Sequence, residues 1–319
     1  MSKELPFLSQ PLTNHDEVIA RAVEIGKTSG ISRVVVAAAE EDDVLAAMYE
    51  CKKEGIAEAI LMGNPDNIKT ALETANVPQD VFEIVATESD EESAIKTAQM
   101  AGSGQADVVM KGYLKTSILL KTLLKSDYGL RDRELVSHSA LLYVPRYGKL
   151  LNCSDGGTLV QPDLKQKLTV IANGVSVLRA VGISKPRIAV VGPDTPLSND
   201  LSETIAAEEL VRVAKAHWSD EIDIYGPVSY NAATSDEVSA DMLMVHTLEE
   251  GNITAKTLIQ FGGAIFMGVI AGARVPISLV SRSDSMLNKK ASIALAVCLA
   301  DYQRRGFEPL PVIDLDEEK

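Results

Sequence analysis

The chain is poor in cysteine, histidine, aromatic residues and positive charge. Three cysteines in 319 residues, Cys51, Cys153 and Cys298, are too few and too scattered for a disulfide framework or a CxxC zinc site, which fits a reducing compartment. Lys+Arg 31 against Asp+Glu 45 leaves a formal charge of −14, which repels nucleic acid unless basic residues gather on one face. No apolar run approaches the ~20 residues needed to span a bilayer, and the start, Met1-Ser-Lys-Glu-Leu-Pro, lacks a basic region followed by an apolar one. The expectation is a soluble, cytoplasmic protein without nucleic-acid or membrane partners. Aromatics amount to 4 %, yet the hydrophobic fraction of 46 % is ample for two cores, so global disorder is excluded.

Several signatures of chemistry are also missing. Gly26-Lys27-Thr28 imitates the end of a P-loop, but Arg21 stands where the first glycine is needed. Gly102-Ser-Gly104 fails as a dinucleotide fingerprint because Asp107 occupies the third glycine position and the glycines precede a strand. There is no GxSxG elbow. His15, His138, His217 and His246 lack the spacing of a local metal site, so no metal is expected. Cys153 has no cationic neighbour in sequence to activate it and reads as structural.

What is present is alternation. Arg33 to Ala39, Ala59 to Met62, Phe82 to Val85, Asp107 to Met110, Arg187 to Val191, Ile222 to Tyr225, Asp241 to Val245 and Ile277 to Val280 read as strands. Amphipathic stretches such as Asp42 to Lys53, Leu164 to Val181 and Ser198 to His217 lie between them. That rhythm predicts an α/β fold of parallel sheets flanked by helices. Ser139 to Val144 and Lys149 to Cys153, flanking Pro145-Arg-Tyr-Gly148, break it with an antiparallel hairpin. The hairpin, with about equal numbers of βα units before and after it, marks a domain crossover, with a ligand site expected in the cleft between the halves. The acidic end, Asp314 to Lys319, reads as a solvated tail.

Charge and strand ends point to the chemistry. From Lys111 to Arg133 six basic residues face two acidic ones, a local inversion in an acidic chain. Lys121 and Lys125 suit an ordinary solvated helix face. Lys111, Lys115 and Thr116 stand instead between a strand and a helix start, where backbone N–H groups and cations make an anion site. Ser281-Arg-Ser-Asp-Ser285 follows an apolar strand and precedes a helix with Leu287, Ala291, Ala294, Leu295, Cys298, Leu299 and Tyr302 on its face. A cap explains Asp284 or Ser285, but not Arg282, which the helix dipole disfavours there unless an anion accompanies it. Asn252 and Lys256 follow a third strand. Three such strand ends suggest a phosphorylated ligand.

These stretches resemble the phosphate acetyltransferase/phosphate butyryltransferase family, and its butyryl branch more closely. The resemblance is carried by Val109-Met-Lys-Gly112 with Thr116; Gly129-Leu-Arg131 and Ser137-His138; Asp155, Pro162-Asp-Leu164 and Lys167; and Pro186-Arg-Ile-Ala-Val190 with Gly226-Pro227. It continues through Glu249-x-Gly-Asn-Ile253 with Lys256-Thr-Leu258, Gly272-Ala273, Val275-Pro-Ile277, and Ser281 to Ser285 with Lys289 and Ser292-Ile-Ala-Leu-Ala296. It implies two α/β domains of the isocitrate/isopropylmalate dehydrogenase type, residues 1–137 completed by the C-terminal helix in residues 277–319 and residues 138–276, usually in a homodimer. It also implies reversible acyl transfer between coenzyme A and inorganic phosphate, with coenzyme A as substrate and no permanently bound cofactor or metal. The matching positions are Asp284 as base, Arg282 as phosphate ligand and Ser281 as donor to the developing oxyanion. Lys111, Lys115, Thr116, Arg131, Ser137, His138, Asn252, Lys256, Ser283, Ser285 and Lys289 would bind phosphate or coenzyme A. This chain departs from the family pattern at His246-Thr247, usually Pro-Asp, at Asn231, usually aspartate, at Leu159, usually asparagine, and in a short connection from Asn231 to Asp241. An active acyltransferase and a catalytically silent binding relative are the two readings open at this point.

Overall fold

A computed structural model describes residues 8–192, 202–307, 309–313 and 315. In chain order the elements are α1 (His15–Ser29), β1 (Ser32–Ala37), α2 (Asp42–Lys53), β2 (Ala57–Gly63), α3 (Pro65–Thr74), β3 (Glu83–Ala86), α4 (Asp90–Gly102), β4 (Val108–Lys111) and α5 (Thr116–Leu123). Then come β5 (Ser137–Val144), β6 (Lys149–Ser154), α6 (Leu164–Ala180), β7 (Arg187–Val191), α7 (Ser202–Trp218), β8 (Asp223–Val228), α8 (Tyr230–Ala233), β9 (Met242–Met244) and α9 (Leu248–Gly262). The last three are β10 (Ile265–Ala271), β11 (Ile277–Ser278) and α10 (Met286–Arg304). The expected terminal tail from Asp314 lies almost wholly outside the described residues, as do the first residues of the chain and the start of the stretch expected to be helical from Ser198. Among the described residues no helix is long and apolar enough to cross a membrane.

The chain divides into two compact units. The amino-terminal unit comprises residues 15–134 and 267–305. Its strands lie in the order β3-β2-β1-β4-β11-β10. The first five are parallel, with Ala37 opposite Lys111 and Met110 opposite Ser278, whereas β10 runs antiparallel to β11. In β1 only Arg33 reaches solvent, as expected of a strand covered on both faces. Helix α10 packs on α1 and α2, and its residues Ala291 to Tyr302 are all buried. Local signals set the helix starts: Asn64 accepts N–H bonds from Asp66 and Asn67 ahead of Pro65, and Ser89 accepts one from Glu92.

The hairpin unit comprises residues 135–266 with the described residues at the two chain ends, and its strands run β5-β6-β9-β7-β8. The hairpin forms as expected, Leu142 opposite Leu151, and Gly148 supplies the positive φ of 73° that its turn requires. Strands β6, β9, β7 and β8 are parallel. Helix α6 opens with a capping box in which Asp163 and Gln166 each bond the other's backbone N–H.

Two strand assignments need correction. Ile265 to Ala271, absent from the expected strands, forms β10. A continuous apolar run carries no period to separate strand from helix, and Gly268 within it weakens both signals. The strand expected over Ile277 to Val280 is only two residues long, because the chain leaves the sheet after Ser278 to build the loop described next.

Candidate active site

In a parallel sheet, adjacent strands deliver their carboxyl ends to one edge, and the loops that leave there meet. In the amino-terminal unit β1, β4 and β11 do this. The Gly112 N–H donates to Ala37 O at 2.9 Å and the Tyr113 N–H to Ala38 O at 2.6 Å, so the β4 loop is sewn to the end of β1. A Cβ at Gly112 would lie 2.1 Å from Ala38 O, so close an approach requires glycine. Helix α5 then starts at Thr116, and Lys115 at its N-cap position makes no side-chain capping bond. Lys115 is exposed and Thr116 half-buried. The Lys111 ammonium donates to the carbonyls of Gly112 and Leu114 at 2.9 and 3.3 Å. Burial lowers its pKa from the usual 10.5, Glu41 opposes that shift and Arg282 adds to it. Lys111 and Arg282 therefore share one electropositive strand end.

The loop after β11 is held from within. Asp284 is buried, and its carboxylate accepts the Ser281 N–H at 2.6 Å. Ser281 and Ser283 join their hydroxyls at 3.1 Å, and Ser285 caps α10 by accepting the Asn288 N–H. Lys289 is fully buried, and its ammonium donates to Asp284 O at 2.8 Å, Arg282 O at 3.2 Å and Asp43 at 3.4 Å. Its contacts are those of a clamp under the loop. Above the clamp Arg282 is exposed, and its guanidinium carbon sits 4.0 Å from the centre of the Tyr113 ring. Arg131 follows a separate stitch: its backbone bridges Ala273, with Arg133 N–H on Gly272 O and Arg274 N–H on Leu130 O, and its side chain is exposed. Lys121 and Lys125 are exposed, as a solvated face would have them.

In the hairpin unit the antiparallel start of β5 meets the carboxyl end of β6. Asp155 organises this end: its buried carboxylate accepts N–H bonds from His138 at 2.9 Å, Gly157 at 2.7 Å and Thr158 at 2.9 Å, together with the Thr158 hydroxyl. Asn252, in the first turns of α9, donates to Gly156 O at 3.2 Å. Cβ atoms at Gly156 and Gly251 would each meet the opposing backbone at 2.7 Å, so α9 approaches this turn on glycines. Lys256, one turn on, lies 5.8 Å over the Phe266 ring, and the His138 ring is tilted against the same phenyl at 6.1 Å. Ser137 is fully buried, and its hydroxyl accepts from Asn173 at 2.9 Å within the core.

The departures at His246-Thr247 carry structural duties. Thr247 caps α9 by accepting the Glu250 N–H. His246 Nε2 is 2.7 Å from Val191 O and Nδ1 is 3.3 Å from the Lys167 ammonium, so a proton on Nε2 leaves Nδ1 as acceptor for the lysine. All three thiols are buried, and burial pushes Cys153 up to about 12, far from a nucleophile at neutral pH. Among the described residues no cluster of three or more histidines, cysteines or carboxylates could hold a metal. Tyr113 is the feature that sequence reasoning missed at this edge; its only signal was its position directly after Lys111-Gly112.

Residues 17–99 and 92–297 match the family described as phosphate acetyl/butaryl transferase. A probable phosphate butyryltransferase of Bacillus subtilis is 34 % identical over 280 residues, 84 % of this chain and 93 % of that protein. The phosphate butyryltransferase of Clostridium acetobutylicum is 30 % identical over 286 residues, 86 % of this chain and 95 % of that protein. The crystal structure of a branched-chain phosphotransacylase from Enterococcus faecalis superposes with a TM-score of 0.75 at 26 % identity, over 85 % of this chain and 99 % of that one. With a cationic, serine-rich strand-end loop inside a match that runs through both units, the chain belongs to the phosphate acetyl/butyryl transferase family of enzymes.

Proposed function

We propose that this protein reversibly transfers a short acyl group, butyryl or a close homologue, between coenzyme A and inorganic phosphate. The observation that carries the reading is the Ser281–Ser285 loop, which presents an exposed arginine over a buried carboxylate at the end of a parallel strand. In the direction of thioester synthesis, the coenzyme A sulfur attacks the carbonyl carbon of an acyl phosphate, and the bond from that carbon to the phosphate oxygen breaks. Three needs follow: a base for the thiol, donors for the developing oxyanion and a cation for the leaving phosphate. Asp284 takes the thiol proton, Ser281 donates to the oxyanion, and Arg282 holds the phosphate with help from Lys111, Lys115, Thr116 and Arg131. Ser283 and Ser285 line the same loop, with Lys289 beneath it.

His138, Asn252 and Lys256 belong to the coenzyme A side of the reaction, with Ser137 supporting that edge from the core. Coenzyme A is a substrate that enters and leaves. The isocitrate/isopropylmalate dehydrogenase type of fold, the domain division at 137 and 277, a homodimer and a cytoplasmic setting belong to the same proposal. Support comes from the two α/β units, each with its charged residues at strand carboxyl ends, and from the family membership. Mixing butyryl phosphate and coenzyme A and following thioester absorbance tests it. Thioester formation is expected, and its absence across acetyl, propionyl, butyryl and branched acyl phosphates would leave a silent binding relative.

A further inference from the structure

Arg282 has two kinds of support. Its backbone is clamped by Lys289, whereas its guanidinium has no hydrogen-bond or ion-pair partner among the described residues and rests on one ring, that of Tyr113, at 4.0 Å. Tyr113 is 52 % exposed, so its ring stands at the surface where the exposed Arg282 side chain reaches it. Its backbone is anything but loose: the bonds from Gly112 and Tyr113 to Ala37 and Ala38 fix it to the sheet. The ring is thus a platform tied to β1 and β4, and the cation it carries arrives from β11. A planar cation stacked on an aromatic face keeps its N–H donors in its own plane, directed past the ring edge, where they can form a fork on a phosphate.

We propose that Tyr113 is a positioning residue that fixes the plane of the Arg282 guanidinium for the phosphate group. The proposal rests on the phosphate role assigned to Arg282 above. Stacking needs the aromatic face and not the hydroxyl, so phenylalanine suffices and a flat apolar surface without a ring does not.

The test measures KM for inorganic phosphate in the acyl-coenzyme A to acyl phosphate direction for wild type, Tyr113→Ala, Tyr113→Leu, Tyr113→Phe, Arg282→Ala and the Tyr113→Ala/Arg282→Ala double variant. Calorimetric Kd values for inorganic phosphate are measured on the same proteins. Tyr113→Ala and Tyr113→Leu should raise phosphate KM and Kd about three- to tenfold, the range of one partly exposed cation–π contact and the order it imposes. KM for the acyl-coenzyme A should stay within about twofold, and Tyr113→Phe should behave as wild type. In the Arg282→Ala background, removing the ring should add nothing. Unchanged phosphate affinity in Tyr113→Ala, no rescue by phenylalanine, or additive effects in the double variant would overturn the proposal while leaving the acyltransferase reading intact. A wild type that forms no product would instead overturn that reading. The Kd series then decides Tyr113 alone, and absent phosphate binding would overturn both.

Discussion

Arg282 stands out because it is a cation at a helix start whose guanidinium has no carboxylate paired with it among the described residues. A phosphate ligand resolves that conflict, and its loss is costly. Arg282→Ala is expected to lower turnover at least ~10²-fold, the usual effect of removing one preorganised charged donor, and Arg282→Lys to restore little because a point charge cannot reproduce a bidentate fork. Near-normal kinetics in the alanine variant would remove this strand end from the chemistry. Asp284→Asn should cost roughly 10²- to 10⁴-fold at neutral pH and recover in part as alkaline pH generates thiolate unaided. A normal rate with an unchanged pH profile would make Asp284 a turn-former only, through its bond to the Ser281 N–H. Lys111 sets a second pH dependence. Its folded pKa lies below the usual 10.5 because burial penalises the ammonium, so its charge is present below that lowered value and is lost as pH rises through it. Phosphate KM should therefore begin to rise at a pH below that at which an exposed lysine titrates, and Lys111→Met should remove that limb. The stability sign runs the other way: burial of the charged form costs stability below the folded pKa, and the cost is relieved as pH climbs from the folded to the unfolded value.

The elements explain why these residues meet. Parallel registry puts Ala37 level with Lys111 and Met110 level with Ser278, so three loops leave one edge together. The contact between two of them is backbone on backbone, through Gly112 and Ala38. Gly112→Ala should force these ends apart, because a Cβ 2.1 Å from a carbonyl oxygen meets an atom that no rotamer change can move away. A loss of about 1–3 kcal/mol in urea unfolding is expected, together with a raised phosphate KM as the Tyr113 ring shifts. Wild-type values of both would show that the β1–β4 junction is not what sets the loop. The same device, glycines where an element approaches a turn, recurs in the hairpin unit at Gly156 and Gly251.

At the scale of the molecule the prediction is acyl preference, which rests on the similarity to phosphate butyryltransferases at 30 and 34 % identity. Each buried CH₂ contributes ~0.8 kcal/mol, so two more in a pocket shaped for four carbons give about a tenfold to hundredfold advantage in kcat/KM over acetyl. Steady-state comparison of butyryl, branched and acetyl phosphates checks this. Acetyl phosphate used as well as butyryl phosphate would put the enzyme in the other branch without changing its reaction.

Periodicity along the chain was enough for the α/β class and the hairpin, because such patterns are local; the caps that the structure shows at Asn64-Pro65, Ser89 and Asp163 are equally local, each acting within one turn of itself. The cationic strand ends were also legible, since a strand, a break and a helix in succession leave their junction residues at a sheet edge wherever the strands are parallel. Tertiary structure decided what sequence spacing does not encode. It made Ile265–Ala271 a strand, antiparallel to its neighbour, because an apolar run takes its conformation from the surfaces that bury it. It turned Lys289 inward as a clamp and gave His246 to Lys167. It also laid Arg282 on Tyr113, a contact between residues remote in sequence that exists only because β4 and β11 are adjacent in the sheet.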